Sequence, residues 1–411
     1  MGEALVPILY DLHDPAIIAD PYPTYARMRR QDPVWHNPAS GSWVVTRYAD
    51  VQRILLGSGT SNHRVEELLA RVPRQADLPV EPLRKVMTPR LLFTEGEQHS
   101  RIKRLIMRTF APQHVQGYGT VIAEQLRVLL DGLPLGEPVD FLAKVTNLLP
   151  GMVILAILGI RAKDEDRMKE WTDDIYAWIG HSSGSIVDRT KRALSAVEGL
   201  EARLLELISE ARRHPRADML SALVHAREEG LILSDLELVA NVIGLVNAGQ
   251  ETTTCLLANG LIRLLQFPEQ WERLRENASL IDSAVEEMLR FDAPAQFIAR
   301  RVEQPFELEG IRLESGALIA LGLAAANRDE SAFDRPNEFD VGRSPNPHLS
   351  FGHGAHFCVG SSLARLEAQQ LLAALLDRFH SIRLACSTSE LQWRPTTTFR
   401  CPLALPVVLL R

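Results

Sequence analysis

The chain has 411 residues, of which 46% are hydrophobic and 24% are charged. This balance is typical of a protein with a packed core and excludes a disordered or collagen-like chain. The 45 Lys and Arg residues against 52 Asp and Glu residues give a net charge of -7, so we expect no nucleic-acid partner. At about 150 residues per domain, the length alone suggests two or three domains, although large single folds exceed that size.

The N-terminal segment and the cysteines point to the cytoplasm. Pro7, Asp11 and Asp14 interrupt the first apolar run before it reaches the length of a signal peptide or a membrane span. The most apolar stretch, residues 148–160, is too short to span a bilayer and contains Pro150, so it predicts a buried helix. The cysteines form no Cys-x-x-Cys pair and predict neither disulfides nor a zinc ribbon. We expect a cytoplasmic protein without a membrane anchor.

Strand signals lie near the two ends of the chain, and helical spacing dominates the middle. The strand signals are residues 43–46, residues 306–323 with Gly310 and Gly316 as turn residues, and residues 403–410. From Tyr118 to Phe291, apolar residues recur at helical spacing. No repeat or linker separates these regions. The prediction is a mainly α fold with small β-sheets (α+β), formed as one continuous unit.

The longest predicted helix begins at Asp235, after the capping residue Ser234, and ends near Gln266, before Pro268. At 1.5 Å per residue it would be roughly 45 to 50 Å long, enough to cross a large domain. Its middle is unusual for a core helix, because residues 247–253 are mostly small or polar.

The most specific string is FGHGAHFCVG, residues 351–360, which precedes a helix that begins near Ser361 or Ser362. Taken alone, Cys358 would be a buried structural cysteine. The surrounding glycines, however, allow the backbone to lie against a flat ligand. The N-terminus of the following helix favours a thiolate, which is a ligand for a soft or borderline metal.

The spacing Phe-x-x-Gly-x-x-x-Cys-x-Gly resembles the haem-binding loop of the cytochrome P450 family. The resemblance implies a single P450 fold with a long central helix over haem b (iron protoporphyrin IX), and Cys358 as the axial thiolate and metal ligand. It also implies that Phe351 packs near the thiolate side of the porphyrin and that His356 reaches a propionate. Outside this string, His356 would be interpreted as a solvated loop histidine.

The middle of the long helix, residues 248–253, resembles the oxygen-activation motif of the same family. A threonine in mid-helix can donate its hydroxyl back to the carbonyl four residues earlier, here Ala248. The resemblance implies that Ala248 and Gly249 leave room beside the iron and that Thr252 holds a water. Glu251 would then relay protons, so that dioxygen is cleaved rather than released as peroxide. In isolation, the motif would equally suit a Gly/Thr kink in a packed helix.

Basic residues at two places match the family's propionate contacts. His99 is followed at the fourth position by Lys103, where relatives usually carry Arg, and lysine supplies only a point charge. Arg104 or Arg101 is the alternative there. On the other side of the haem the match is Arg301, with Arg300 as the alternative. Separately, we interpret Glu287, Arg290 and Arg343 as a structural network.

Substrate and redox-partner contacts are predicted only by region. The resemblance places the pocket at Phe93, Gly244, Ala248, Ala295, Phe297 and Phe399. Several basic residues between Arg64 and Lys85 suit a carboxylate or phosphopantetheine but are equally typical of a solvated surface. The arginines at positions 101, 104 and 108 share one helix face, which we interpret as a docking site for an acidic ferredoxin.

The sequence therefore predicts a single haem-thiolate monooxygenase domain over residues 1–411, without a fused reductase. It would insert one atom of O2 into a lipophilic secondary metabolite by hydroxylation or epoxidation, with electrons from a separate ferredoxin or flavodoxin and its reductase. The alternatives are a haem-thiolate peroxygenase or isomerase, and a non-catalytic haem sensor. The sequence identifies neither the substrate nor whether that substrate is free or attached to a carrier.

Overall fold

Helices account for most of the structure, a computed structural model that describes residues 10–57, 59–160, 162–180, 184–227 and 230–411. They are α1 (Pro15–Ala19), α2 (Tyr22–Gln31), α3 (Tyr48–Leu56), α4 (Val65–Ala70), α5 (Glu81–Met87), α6 (Gly96–Met107), α7 (Pro112–Asp131), α8 (Leu149–Ile157), α9 (Ala162–Ile179), α10 (Ile186–Arg213), α11 (Met219–His225), α12 (Asp235–Gln266), α13 (Pro268–Glu276), α14 (Ile281–Phe291), α15 (Leu323–Ala326) and α16 (Ser361–Arg378).

Three small sheets accompany the helices. Their strands are β1 (Val34–Asn37), β2 (Ser42–Val45), β3 (Thr60–Ser61), β4 (Pro138–Asp140), β5 (Phe297–Val302), β6 (Phe306–Leu308), β7 (Ile311–Leu313), β8 (Leu318–Gly322), β9 (Ser381–Leu384) and β10 (Pro406–Leu410). The largest sheet has the order β1-β2-β8-β5-β3, in which β2 and β8 are parallel and the other pairs antiparallel. The others are β4-β10-β9 and the hairpin β6-β7. The predicted mainly α fold with small sheets is confirmed.

The long helix α12 has the bounds that the sequence predicts. The Ser234 hydroxyl accepts from the Glu237 N–H at 3.2 Å, and the Glu237 carboxylate accepts from the Ser234 N–H at 2.9 Å. This capping box fixes the first turn of the helix. Along its length, α12 contacts α8, α10, α14 and α16, so it forms the centre of the helical region.

The predicted buried helix at residues 148–160 is present as α8, whose side chains are nearly all buried. Among the described residues, no helix is both long and apolar enough to cross a membrane. Residues 1–9 lie outside the described residues, and so does the part of the N-terminal prediction that rests on them.

A buried ionic network links α14 to the segment before the cysteine loop. The fully buried Arg290 donates to both oxygens of the fully buried Glu287, at 2.7 and 2.8 Å. Arg343 Nε lies 3.1 Å from the same carboxylate. The predicted structural network of these three residues is confirmed, and it fixes the chain that leads to Cys358.

Candidate active site

The cysteine loop folds tightly between the end of α3 and the start of α16. The Cys358 N–H donates to the Phe351 carbonyl at 3.0 Å, which closes the loop between these two residues. Gly352 and Gly354 adopt φ angles of +70° and +71°, which side-chain-bearing residues rarely adopt. At Gly354, a Cβ would also approach the Leu55 carbonyl oxygen to 2.8 Å. Glycine is therefore required at this position for two separate reasons.

The thiol of Cys358 lies in a mixed electrostatic environment. Burial raises its pKa, while the Gly360 N–H and the charges of Arg365 and Lys103 act in the opposite direction. The side chain still keeps accessible surface. The N–H at the start of α16 favours the thiolate, as the sequence predicts, but it is only one contribution to the pKa of Cys358. Without a bound metal, burial outweighs it, and the raised pKa favours the thiol. Ligation to a metal would be what holds the sulfur deprotonated.

The two predicted propionate histidines lie side by side. The rings of His99 and His356 are 4.1 Å apart, and His356 Nε2 lies 3.0 Å from the Glu95 carboxylate. Burial and the neighbouring His356 and Lys103 lower the pKa of His99 to about 4, so His99 is neutral near pH 7. Lys103, in turn, donates to the carbonyls of Ala355 and Phe357. The lysine that replaces the usual arginine thus contacts the cysteine loop itself.

Strand alternation on β5 decides between the two arginines proposed for the second propionate. Arg301 pairs with Glu67 and Glu303, both at 3.0 Å. Arg300 points to the other face, where it is 7% exposed and donates to Asn62 Oδ1 at 2.9 Å. The prediction of Arg301 is therefore corrected: the structure brings Arg300 toward the histidines, through Asn62, whose N–H donates to the Glu95 carboxylate.

The oxygen-activation segment keeps accessible surface in the middle of α12. Ala248 is exposed, whereas Asn247 and Gln250 beside it are buried. The Thr252 hydroxyl donates to the Ala248 carbonyl at 2.6 Å, as the sequence predicts. Among the described residues outside the adjacent turns of α12, a Cβ built on Gly249 would meet only Ile154, at 3.8 Å.

Glu251 forms an ion pair that the sequence does not predict. Arg394, from the segment before β10, donates to its carboxylate. Burial raises the pKa of Glu251, the charge of Arg394 opposes this, and Asp173 adds to it. Tyr176 lies near the pair, and its buried hydroxyl has no hydrogen-bond partner among the described residues. A half-buried carboxyl with a raised pKa can hold a proton closer to neutral pH than an ordinary glutamate.

The predicted pocket residues separate into two groups. Ala295 forms a β-bridge with Phe399, whose ring lies 5.6 Å from that of Tyr176. Phe93 is buried, and the guanidinium of Arg64 lies over its ring at 5.9 Å. Phe297, however, packs against Tyr25 at 5.5 Å in a separate apolar cluster. Its assignment to the pocket is therefore corrected, since it is a core residue beneath the sheet.

Most of the basic residues suggested for ligand contact are already paired. Arg71 donates to the carbonyls of Trp178 and Ile179, and Arg84 pairs with Glu66 and Glu81. Because these contacts occupy the basic groups, the loop has fewer free cations for binding a carboxylate than its composition suggests. In the proposed docking stripe, Arg101 pairs with Glu237 of α12. Arg104 and Arg108 are exposed on α6 and just after it.

The residues present suit a haem. Cys358 supplies the single soft ligand that a haem-thiolate centre needs. Near the histidines, the Nδ2 of Asn62 and the Nε of Arg64 are buried without a hydrogen-bond partner among the described residues. Buried donors of this kind call for an acceptor, and the carboxylate of a propionate is one. Asn62, Arg64, Glu95, Arg300 and Arg394 were missed as site residues, or held only as alternatives, because no local motif marks them.

Comparison with known proteins gives a consistent result. The family model described as Cytochrome P450 matches residues 71–386. The biotin biosynthesis cytochrome P450 of Bacillus subtilis strain 168 is 35% identical over 398 residues, which cover 95% of this chain and 96% of that protein. The vitamin D(3) 25-hydroxylase of Pseudonocardia autotrophica is 34% identical over 407 residues, 97% of this chain and 96% of that protein. The crystal structure of P450BioI with an acyl carrier protein bearing hexadec-9Z-enoic acid aligns with a TM-score of 0.87 at 34% identity, covering 96% and 99% of the two chains.

Proposed function

We propose that this chain, which belongs to the cytochrome P450 family of monooxygenases, hydroxylates or epoxidises a medium-sized lipophilic metabolite. Cys358 would hold the iron of haem b. His99, His356, Arg300 and Lys103 would lie on its propionate side. The observation that carries the proposal is the pairing of a complete cysteine loop with an accessible Ala248–Thr252 segment in α12.

The protein contributes a ligand, an accessible pocket wall and a proton supply. When bound, the haem activates dioxygen, and a thiolate ligand favours cleavage of the O–O bond. Phe351 would pack beside the ligand sulfur, since its carbonyl already accepts from the Cys358 N–H. Ala248 and Gly249 contribute almost no side chain, so α12 leaves space for small molecules at this level.

Thr252 and Glu251 would manage the protons that reduction of dioxygen consumes. The Thr252 hydroxyl donates to Ala248, which leaves its oxygen lone pairs free to accept from a water. Glu251 is the nearest carboxyl in sequence, and its raised pKa lets it hold a proton until one is needed. Arg394 positions this carboxylate from a segment that also carries Phe399 of the predicted pocket.

The ligand assignment is tested by the absorption spectrum of the reduced, carbon-monoxide-bound protein. We expect the strongly red-shifted Soret band of thiolate ligation, and we expect Cys358→Ser to lose it. Cys386→Ser, at a half-buried cysteine in the segment after β9, is the matched control and should keep the band. Absence of the band in well-folded wild-type protein would refute the ligand role of Cys358.

The proton role is tested by Thr252→Ala, with Thr252→Ser as the variant that keeps the hydroxyl. In the alanine variant, electron consumption should continue while product falls and hydrogen peroxide rises. Serine should restore most of the coupling of electrons to product. An alanine variant that stays tightly coupled would remove the role proposed for Thr252. This test also separates a monooxygenase from a peroxygenase, an isomerase or a sensor, none of which couples reductant to O2 in this way.

The substrate class follows from the relatives only in outline. Their names include biotin biosynthesis, a vitamin D(3) 25-hydroxylase and a mycinamicin IV hydroxylase/epoxidase, which together suggest apolar compounds of medium to large size. Titration against a compound library, followed by the spin-state change at the Soret band, is the direct way to find the natural ligand. A compound that binds beside the haem would reveal itself by shifting this band.

Electrons would come from a separate ferredoxin or flavodoxin and its reductase. The side chains of Arg104 and Arg108 are exposed, with the exposed Met107 between them, and their charge suits an acidic partner. Charge reversal at positions 104 and 108 should slow reduction by a ferredoxin, most strongly at low salt. Arg312→Glu, on the β6-β7 hairpin, is the control. Unchanged reduction rates in the double variant would exclude this face as the docking site.

A further inference from the structure

Arg90 is a buried arginine that lies against the oxygen-activation half of α12. The residue is 3% exposed. Its Cδ is 3.8 Å from the position that a Cβ would take on Gly244, and its Nη1 donates to Asn247 Oδ1 over a long 3.5 Å. Residues four apart share one face of a helix, so Arg90 lies on the face of α12 that also carries Ala248.

The backbone on both sides of Arg90 is fixed to the same helix. The Leu91 N–H donates to Asn241 Oδ1 at 2.7 Å, and Asn241 Nδ2 donates to the Pro89 carbonyl at 3.0 Å. The backbone that carries Arg90 is therefore held against α12 from both sides. Asn247 is held as well, because its Nδ2 donates to the Thr172 carbonyl at 2.8 Å.

The guanidinium has donors without acceptors. Its Nε and Nη2 are buried and have no hydrogen-bond partner among the described residues. Burial lowers the pKa of Arg90 to about 9, so the group is still charged at neutral pH. A buried charge that lacks a partner is costly, and proteins usually keep one only where something binds it. Nε and one Nη lie on the same edge of the guanidinium plane and match the two oxygens of a carboxylate.

We propose that Arg90 binds a carboxylate of the substrate, so that the enzyme acts on an amphipathic organic acid whose apolar part extends along α12 toward Ala248. The inference rests on the proposed monooxygenase function and names the substrate class for that site. The carboxylate would accept from the free Nε and Nη2 as a bidentate pair, and the long contact from Nη1 to Asn247 would remain. An ester or a carrier-bound thioester lacks the anionic oxygen pair, so the substrate is the free acid.

The test compares carboxylic acids with their methyl esters on the haem-loaded protein. Dodecanoic, hexadecanoic and 4-phenylbutyric acids, each with its methyl ester, and dodecyl phosphate are titrated into wild type, Arg90→Gln and Arg90→Lys. Dissociation constants come from the spin-state change and, independently, from the shift in melting temperature. Arg312→Gln is the matched control, since that arginine is exposed on the β6-β7 hairpin.

We expect wild type to bind at least one acid about 10-fold or more tighter than its ester. Arg90→Gln should weaken acid binding by about 100-fold and leave ester binding unchanged, because one half of a buried charge pair is lost. Arg90→Lys should keep part of the preference as a point charge. Arg312→Gln should match wild type.

Results of three kinds would overturn the proposal. The first is the absence of any acid-over-ester preference in wild type, or an equal loss for acids and esters in Arg90→Gln. The second is tighter binding of dodecyl phosphate than of dodecanoate, which would assign the site to phosphate. The third is loss of haem from Arg90→Gln, which would assign Arg90 to a propionate. A wild-type protein without the thiolate spectrum would instead refute the proposed function itself, so the two failures are distinguishable.

Discussion

Two buried arginines, Arg290 and Arg90, show how differently one fold treats the same side chain. Arg290 is 0% exposed and has a partner for each guanidinium nitrogen. These partners are both oxygens of Glu287 and the carbonyls of Asn327, Pro336 and Glu338. Arg90 is 3% exposed, yet its side chain makes a single hydrogen bond of 3.5 Å, to Asn247, among the described residues. Burial is nearly equal, and only the number of partners differs.

The difference indicates what each arginine is for. A buried charge with every donor satisfied is part of the scaffold, since nothing remains to bind a ligand. A buried charge with free donors is held in place by the rest of the fold at a cost, as Asn241 holds the backbone around Arg90. Substitutions at Arg290, Glu367, Arg394 and Arg90 would test this difference.

Arg290→Met should have the largest effect. It leaves the Glu287 carboxylate buried with one cation fewer and removes one donor from each of three backbone carbonyls, so we expect a loss of about 3 to 5 kcal/mol in the free energy of unfolding. Urea unfolding followed by circular dichroism measures it. Arg335→Gln, an exposed arginine paired with Glu338, should show no measurable change. If Arg290→Met unfolded at the same urea concentration as wild type, a full set of hydrogen-bond partners would not identify a structural arginine.

Glu367 is the acidic counterpart of Arg90, a buried carboxyl on α16 whose Oε2 has no partner among the described residues. Burial raises the pKa of Glu367 from 4.5 to about 8. The folded state therefore binds more protons than the unfolded state between these values, and stability contributed by this group falls as pH rises from about 4.5 to 8. Glu367→Gln removes that dependence and should gain roughly 2 to 4 kcal/mol relative to wild type at pH 9. Urea unfolding of wild type and Glu367→Gln at pH 5 and 9 would measure the difference, and Glu314→Gln, at an exposed position, is the control.

Arg394→Gln tests a pair that lies between the two extremes, because Glu251 is half-buried and has one cationic partner. Removing the cation should raise the pKa of Glu251 further, since a neighbouring positive charge favours the carboxylate. The pH profile of product formed per electron consumed should then move to higher pH by about one unit. Arg394→Lys should keep the wild-type profile. A profile that does not move in Arg394→Gln would show that this pair does not set the proton supply.

Arg90→Met should have the smallest effect on the ligand-free protein. The change removes an unpartnered buried charge and keeps an apolar chain against Gly244, so the free energy of unfolding should stay within about 1 kcal/mol of wild type or rise slightly. The same unfolding assay that detects the loss in Arg290→Met provides the contrast. A loss as large as that of Arg290→Met would show that the two arginines are equivalent after all.

The sequence was sufficient where local chemistry decides the structure. Ser234 and Pro268 bracket α12, and its bounds follow from capping and from the missing N–H of proline. The Glu287–Arg290 pair is a contact within one helix face, so its spacing was enough to predict it. The cysteine loop is a continuous string in which the glycines and the ligand stand together.

The errors arise where side-chain direction depends on distant elements. Strand β5 was not predicted, so the alternation that turns Arg300 inward and Arg301 outward was not available. The same omission placed Phe297 in the pocket instead of the core. Arg394 meets Glu251 across 143 residues, and no local pattern records such a contact. Arg90 belongs to no motif, and the inference about it rests on two guanidinium nitrogens that lack a hydrogen-bond partner among the described residues.

The close approach of Gly354 to the Leu55 carbonyl concerns the order of events during synthesis. The loop that carries Cys358 rests on the end of α3, a helix completed some three hundred residues earlier in the chain. When α3 and α14 have been synthesised, Cys358 and the first turn of α16 have not yet been added to the chain. The proposed ligand Cys358 is therefore synthesised only after the helix on which its loop rests, and we expect haem to bind after that point.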